Sequence, residues 1–309
     1  MRRMPLLLMI GSLMLSARAE AQQCALGAGF SQPDENGARS VRVLEGDGAL
    51  FFGTGLNVNT DGTRRSYNVS DFWGERTALN NLCNAMRDAC RGLTSGQMRE
   101  RRLLTQRARA QGWPSDLLAA TRISPDIIPF RGGRPCPEVG GFLVSATALA
   151  RPNAADPCDL ANYVDALEVA ALVLPKRANA SVPTEFQRRG AQIGDVAAVT
   201  SADGRRVVFA VVGDLGPARE LGEGSVALNG ALLGRAAPPA SYQEVRGRGP
   251  YAGRGWTVPM AYVLVFPGTR DTRSPFLTRE RVEEAGRLAF ERWGGQARLA
   301  SCRASYRPD

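Results

Sequence analysis

The chain contains no histidine, so the chemistry open to it is narrowed at once. Ser-His-Asp and Cys-His nucleophile systems, the H-E-x-x-H zinc site and every three-histidine metal site are excluded. Lysine occurs once, at Lys176 in Leu174-Pro175-Lys176-Arg177, away from any glycine loop that would make it a phosphate-binding lysine. What remains for acid–base work is carboxylate, and a pair of Asp/Glu groups is what glycoside hydrolysis needs: one protonates the leaving oxygen, the other activates water or attacks. Between residues 195 and 223 stand Asp195, Asp203, Asp214, Glu220 and Glu223. Asp203 belongs to an Asp-Gly turn and Glu220 has no special neighbour, so both read as solvated surface groups. Asp214 follows the apolar run Val207 to Val212, at a strand end where a rigid scaffold presents functional groups. Glu223 lies between Gly222 and Gly224, ahead of a helix with Ser225 as N-cap, and the two glycines would let a bulky polysaccharide approach the backbone.

The elements that must position these groups are legible in part. Residues 46–59 alternate apolar side chains with glycines and read as strands ending at Asp61-Gly62. The segments 193–199 and 206–212, joined across Asp203-Gly204, read as a β-hairpin, and 260–266 as a later strand. Helices are expected over 75–93, from the spacing of Leu79, Leu82, Cys83, Met86 and Cys90, over the arginine-rich 97–111, over 225–233, and over 279–293 with Gly294-Gly295 as stop. Trp293 falls on the apolar face of the last helix and reads as core. The arginine-rich helix reads as solvated surface, and without interleaved aromatic residues it argues against a nucleic-acid partner. Glycine-rich 247–253 has the wrong spacing for a dinucleotide loop and contains Pro250, so no cofactor is expected. Trp256, in the same glycine-rich stretch, is a candidate sugar platform.

Basic Met1-Arg2-Arg3-Met4, apolar Leu6 to Leu15 and small-x-small patterns ending at Ala21 predict a secretory signal peptide, hence a secreted or periplasmic protein without a membrane span. Cleavage after Ala21 would take the formal charge from +9 to +7, since three of the 39 basic and one of the 30 acidic residues lie ahead of it. The six cysteines, at 24, 83, 90, 136, 158 and 302, predict three disulfides and no metal site, there being no C-x-x-C. On the helix expected over 75–93, Cys83 and Cys90 would have Cα atoms about 10 Å apart, too far to bond to each other. At 309 residues and 44% hydrophobic composition, with no linker and no repeat, a single domain of mainly β structure with helical insertions (α+β) is the expected organisation, one insertion spanning about 75–122.

Three runs then carry a likeness: Ile193-Gly194-Asp195-Val196-Ala197-Ala198-Val199, Val211-Val212-Gly213-Asp214-Leu215-Gly216-Pro217, and Leu221-Gly222-Glu223-Gly224-Ser225-Val226-Ala227-Leu228. Together they resemble family 75 glycoside hydrolases, the fungal-type chitosanases, and the likeness extends more weakly through 141–149, 163–165, 172–175 and 262–268, with residues 55–61 similar to the family's early strand. The resemblance implies a six-stranded double-psi-like β-barrel and endo-hydrolysis of β-1,4-linked glucosamine polymer with inversion; a monomer is the expected state. It places the catalytic pair on Asp214 and Glu223, nine positions apart, and makes Asp61 and Asp195 candidate substrate contacts. Asp214 is assigned as the base and Glu223 as the acid, the sequence alone leaving the reverse assignment open. A basic surface fits an anionic wall polymer as well as it fits polycationic chitosan. The alternatives are therefore a peptidoglycan-cleaving enzyme, of lytic transglycosylase or muramidase type, and a non-catalytic wall-binding module.

Overall fold

In the computed structural model, residues 23–34 and 39–308 are described; the expected signal peptide lies outside them. The strands are β1 (Gly27–Pro33), β2 (Ser40–Gly46), β3 (Ala49–Asn59), β4 (Phe130–Arg131), β5 (Arg134–Pro135), β6 (Ala171–Pro175), β7 (Val196–Ser201), β8 (Val207–Gly216), β9 (Glu223–Ser225) and β10 (Val258–Phe266). The helices are α1 (Ser95–Ala110), α2 (Ser115–Thr121), α3 (Glu185–Arg188), α4 (Val226–Leu233), α5 (Tyr242–Val245), α6 (Arg279–Trp293) and α7 (Gly295–Ser305). The main sheet runs β1-β2-β3-β10-β7-β8-β6-β9, and β9 returns to pair with β3, which closes a six-stranded barrel. The fold is mixed α+β and mainly β, as the resemblance implied.

The ring has an internal twofold logic. Each long strand, β3 or β8, runs antiparallel to one member of the β10–β7 pair and parallel to one short strand, β9 for β3 and β6 for β8. The two short strands pair antiparallel with each other.

Side chains alternate across the barrel wall because a strand turns successive residues to opposite faces. Leu50, Phe52, Leu172, Leu174, Ala197, Val199, Ala210, Val212, Val263 and Val265 fill the interior. Their neighbours Phe51, Val196, Ala198, Leu264 and Phe266 pack outward against Phe290, Trp293, Leu299 and Cys302 of α6 and α7. Half of the barrel is therefore buried on both faces, which is why its strands read as continuous apolar runs. Further along the wall, outward Ala171 of β6 and Val211 of β8 pack with Val282 of α6 and with Leu149, Val164 and Val169.

The helix expected over 75–93 is absent. Only a 3₁₀ turn at Leu82–Ala85 forms there, and Ala89 and Cys90 adopt positive φ of 47° and 54°. That fold-back brings the Cα atoms of Cys83 and Cys90 to 5.4 Å, and the two are disulfide-bonded, contrary to the helical expectation. The apolar spacing is real but serves a coil-built satellite core, where Leu82, Met86 and Cys90 pack with Tyr67, Phe72, Ile123 and Leu143. Cys24–Cys302 and Cys136–Cys158 are the other two disulfides. In the arginine-rich α1, Arg101 meets Asp88 at 3.2 Å and Arg109 meets Glu138 at 2.5 Å. Among the described residues, no helix is long and apolar enough to cross a membrane.

Candidate functional site

Asp214 and Glu223 stand in one row across the barrel wall. Val173 of β6 is the register partner of Asp214 on one side and of Glu223 on the other, and Glu223 is in turn partnered by Asn57 of β3. An irregularity at Gly213 turns Asp214 to the outer face, since Val212 before it is interior. Leu172 and Leu174 point inward, so Val173 between them points out with it. A Cβ on Gly216 would lie 3.5 Å from Oε2 of Glu223, so the Glu223 carboxylate rests over Gly216, two residues beyond Asp214 on the same face. Asp214 and Glu223 thus flank the same position of β6 from its two neighbouring strands.

The glycines around Glu223 have a packing role rather than the open approach expected of them. A Cβ on Gly222, at φ +132°, would sit 2.6 Å from the carbonyl oxygen of Gly55, and one on Gly224 would sit 2.6 Å from Oδ1 of Asn229. Gly222 thus lets β9 press against β3, where its carbonyl accepts the N–H of Asn57 at 2.8 Å. Ser225 caps α4 through Leu228 N–H and is also bonded to Val169 and Ala171, anchoring the residue pair that follows Glu223.

Asp61 joins this site, two residues past the end of β3. Its Oδ1 accepts the Tyr67 hydroxyl at 2.7 Å and the Ser145 hydroxyl at 3.0 Å. Asn59 links it to Asp214: the Asn59 Oδ1 accepts the Asp61 N–H at 2.6 Å, and Nδ2 donates to Oδ2 of Asp214 at 3.1 Å. Asp214 takes two further donors on Oδ1, the N–H groups of Ala148 and Leu215, both at 2.9 Å. Burial raises the pKa of Asp214, opposed by those donors and by the charge of Lys176. Asp61 is raised further, from 3.8 to about 7, first by burial and then by the neighbouring Asp214 charge, with Tyr67 and Ser145 pulling the other way. Both carboxyl groups are thus raised above the ordinary carboxylate range by burial, and each acts on the other's titration, the pattern found where a site gives and takes protons. Tyr67 is held in turn by Asn80 at 3.2 Å, and Asn80 by Asn84 at 2.6 Å. A recess of 540 Å³ begins at Gly62, next to Asp61, and runs between Arg64, Arg151, Tyr163 and Asp165.

Two of the expected substrate contacts lie elsewhere. Trp256 is only 2% exposed, packed against Gly230 under the Arg235 guanidinium and donating to Glu244, so it offers no face to a sugar. Asp195 is fully buried and caps the turn into β7, accepting the N–H groups of Gln192 and Arg270. Its signal in sequence was an acidic residue in a matching run, which a turn-capping aspartate gives equally well. Asn59, Tyr67 and Ser145 were not expected; only their spacing around Asp61 after folding marks them. Among the described residues, no group of three or more Asp, Glu or Cys side chains gathers as a metal site.

No model of a known protein family matches the chain, and no curated protein does. The functional reading therefore stands on the residues and their geometry.

Proposed function

We propose that this chain is a secreted or periplasmic glycoside hydrolase of the family 75 type, cleaving β-1,4-linked glucosamine polymer internally with inversion. The observation that carries the proposal is the row Asp214–Val173–Glu223 on the outer face of the barrel, which puts two carboxylate-bearing residues on either side of one position of β6. Inverting enzymes separate their two carboxyl groups by about 6.5–9.5 Å so that a water fits opposite the leaving oxygen. Burial raises the pKa of Asp214 against the three hydrogen bonds it accepts, and a carboxylate made more basic in this way suits the base that takes a proton from that water. Glu223, across Val173, is then the acid that protonates the leaving oxygen. Three disulfides accord with an oxidising compartment.

A second reading is favoured by charge. The chain carries a formal +9, and its sole lysine, Lys176, acts on Asp214 from the site's rim, features that suit the anionic glycan of peptidoglycan. Reducing-end release from soluble chitosan and from purified peptidoglycan, by the wild type and by Asp214→Asn and Glu223→Gln, separates the two. Chitosan cleavage lost at least a thousandfold in both variants supports the first reading. Cleavage of peptidoglycan alone moves the protein to the second, and activity retained in both variants removes this carboxylate pair.

A further inference from the structure

The third carboxyl of the site has no part in the two-carboxylate scheme, and its surroundings specify one. Both hydroxyl groups that hold Asp61 converge on the same oxygen, Oδ1, while Oδ2 takes no hydrogen bond from them. Tyr67 is itself fixed, 1% exposed and held by Asn80, so the orientation of the Asp61 carboxyl is set from behind. The backbone of Asp61 is fixed by Asn59, whose other end grips Asp214, so the two carboxyl groups are held in a set relation to each other. With Oδ1 occupied as an acceptor, Oδ2 is the oxygen left to carry a proton.

We propose that Asp61 works as a neutral acid in the site, donating a hydrogen bond from Oδ2 to the glycan hydroxyl or water lodged against the Asp214 carboxylate. The inference rests on the glycan-cleaving reading given above and adds to it a positioning residue. Asp61 aligns the group that Asp214 deprotonates and transfers no proton in the step. The groups that face Asp61 or act on it are Asp214 from β8 and Tyr67 from the loop behind. Lys176 at the end of β6 and Glu223 in β9 belong to the same row through Asp214, and Tyr242 of α5 acts on Tyr67. Deprotonation near neutral pH removes the donor and sets a second negative charge beside Asp214, so the donor role ends there.

The arrangement makes an unusual demand on variants. In Asp61→Asn the amide oxygen replaces Oδ1 beneath Tyr67 and Ser145, and the NH₂ takes the place of Oδ2 as a donor at every pH. Steady-state cleavage of soluble chito-oligosaccharides by wild type, Asp61→Asn and Asp61→Ala, from pH 4 to 9, tests this. Substrate amines titrate alike for all three, so only differences between proteins are read. The expected result is a wild-type kcat that falls above about pH 7, an Asn variant within threefold of the wild-type maximum but without that fall, and an Ala variant down ten- to a hundredfold in kcat with little change in KM. Circular dichroism and melting curves check that each variant is folded. Wild-type profiles in both variants, with Asp214→Asn and Glu223→Gln inactive, overturn this inference alone. An Asn variant as inactive as Asp214→Asn also overturns it, in favour of proton transfer by Asp61. Failure of the wild type to cleave any glycan overturns the functional reading and this inference together.

Discussion

Asn59 donates from Nδ2 to the carboxylate of Asp214 across 155 positions of sequence, tying the end of β3 to the end of β8. These are the two long strands that the pairing pattern makes equivalent, so the contact is made only once the ring is closed through β9. The candidate site is accordingly a property of the closed barrel rather than of any one motif.

Asn59→Ala is expected to lower kcat/KM about ten- to a hundredfold, the range for a hydrogen bond to a charged group. Its loss removes a donor that favours ionised Asp214, so the pKa of Asp214 rises and the acidic limb of the pH–rate profile moves toward neutral. A profile with an unmoved acidic limb would count against Asp214 as the base.

Stability should report Asp61 independently of activity. Its folded pKa, about 7, lies above the ordinary 3.8, so the folded state holds a proton that the unfolded chain has released. The contribution of the group is therefore fully present below about pH 4 and is lost as pH rises toward 7. Asp61→Asn removes this slope. Melting temperatures of wild type and variant should converge near pH 4 and separate at pH 8, the variant being the more stable; parallel curves would contradict the assignment.

Trp256→Ala should cost about 3–5 kcal/mol, as for other buried aromatic residues. At temperatures where the variant is folded, KM for oligosaccharide should equal that of the wild type, because the indole lies beneath Arg235 and not in the site. A large rise in KM with an unchanged melting temperature would restore the sugar-platform role.

The disulfides should differ in worth. Cys24–Cys302 closes a separation of 278 residues and Cys83–Cys90 one of 7, so loop-closure entropy makes the first roughly twice as stabilising. Denaturant melts of the two double Cys→Ser proteins measure this, and equal losses would point to an effect on the native state instead.

The sequence discloses what is local. Helix α6 matches the expected 279–293, since Val282, Ala289 and Trp293 share one face and Gly294 stops it. The hairpin of β7 and β8 follows from Asp203-Gly204, and the N-cap of α4 from Ser225. The segment 75–93 misled because apolar residues at three- and four-residue steps fill a coil-built core as readily as a helix face, and a short disulfide can hold the coil. Trp256 misled because a glycine-rich neighbourhood reads as an open loop, whereas Gly230 and Arg235, distant in sequence, enclose it. Asp61 was visible as an acidic strand-end residue. Its tie to Asp214 was not, because it depends on pairings between strands 155 positions apart.

The bond between Cys24 and Cys302 makes a covalent ring of nearly everything described here, barrel and carboxylates included. A protease that cuts one exposed loop inside that ring, such as the turn at Asp203-Gly204 or the glycine-rich stretch near Gly253, opens a circle and releases no fragment. In a compartment shared with hydrolytic enzymes, a single nick would leave the pieces tethered and the carboxylate row able to re-form.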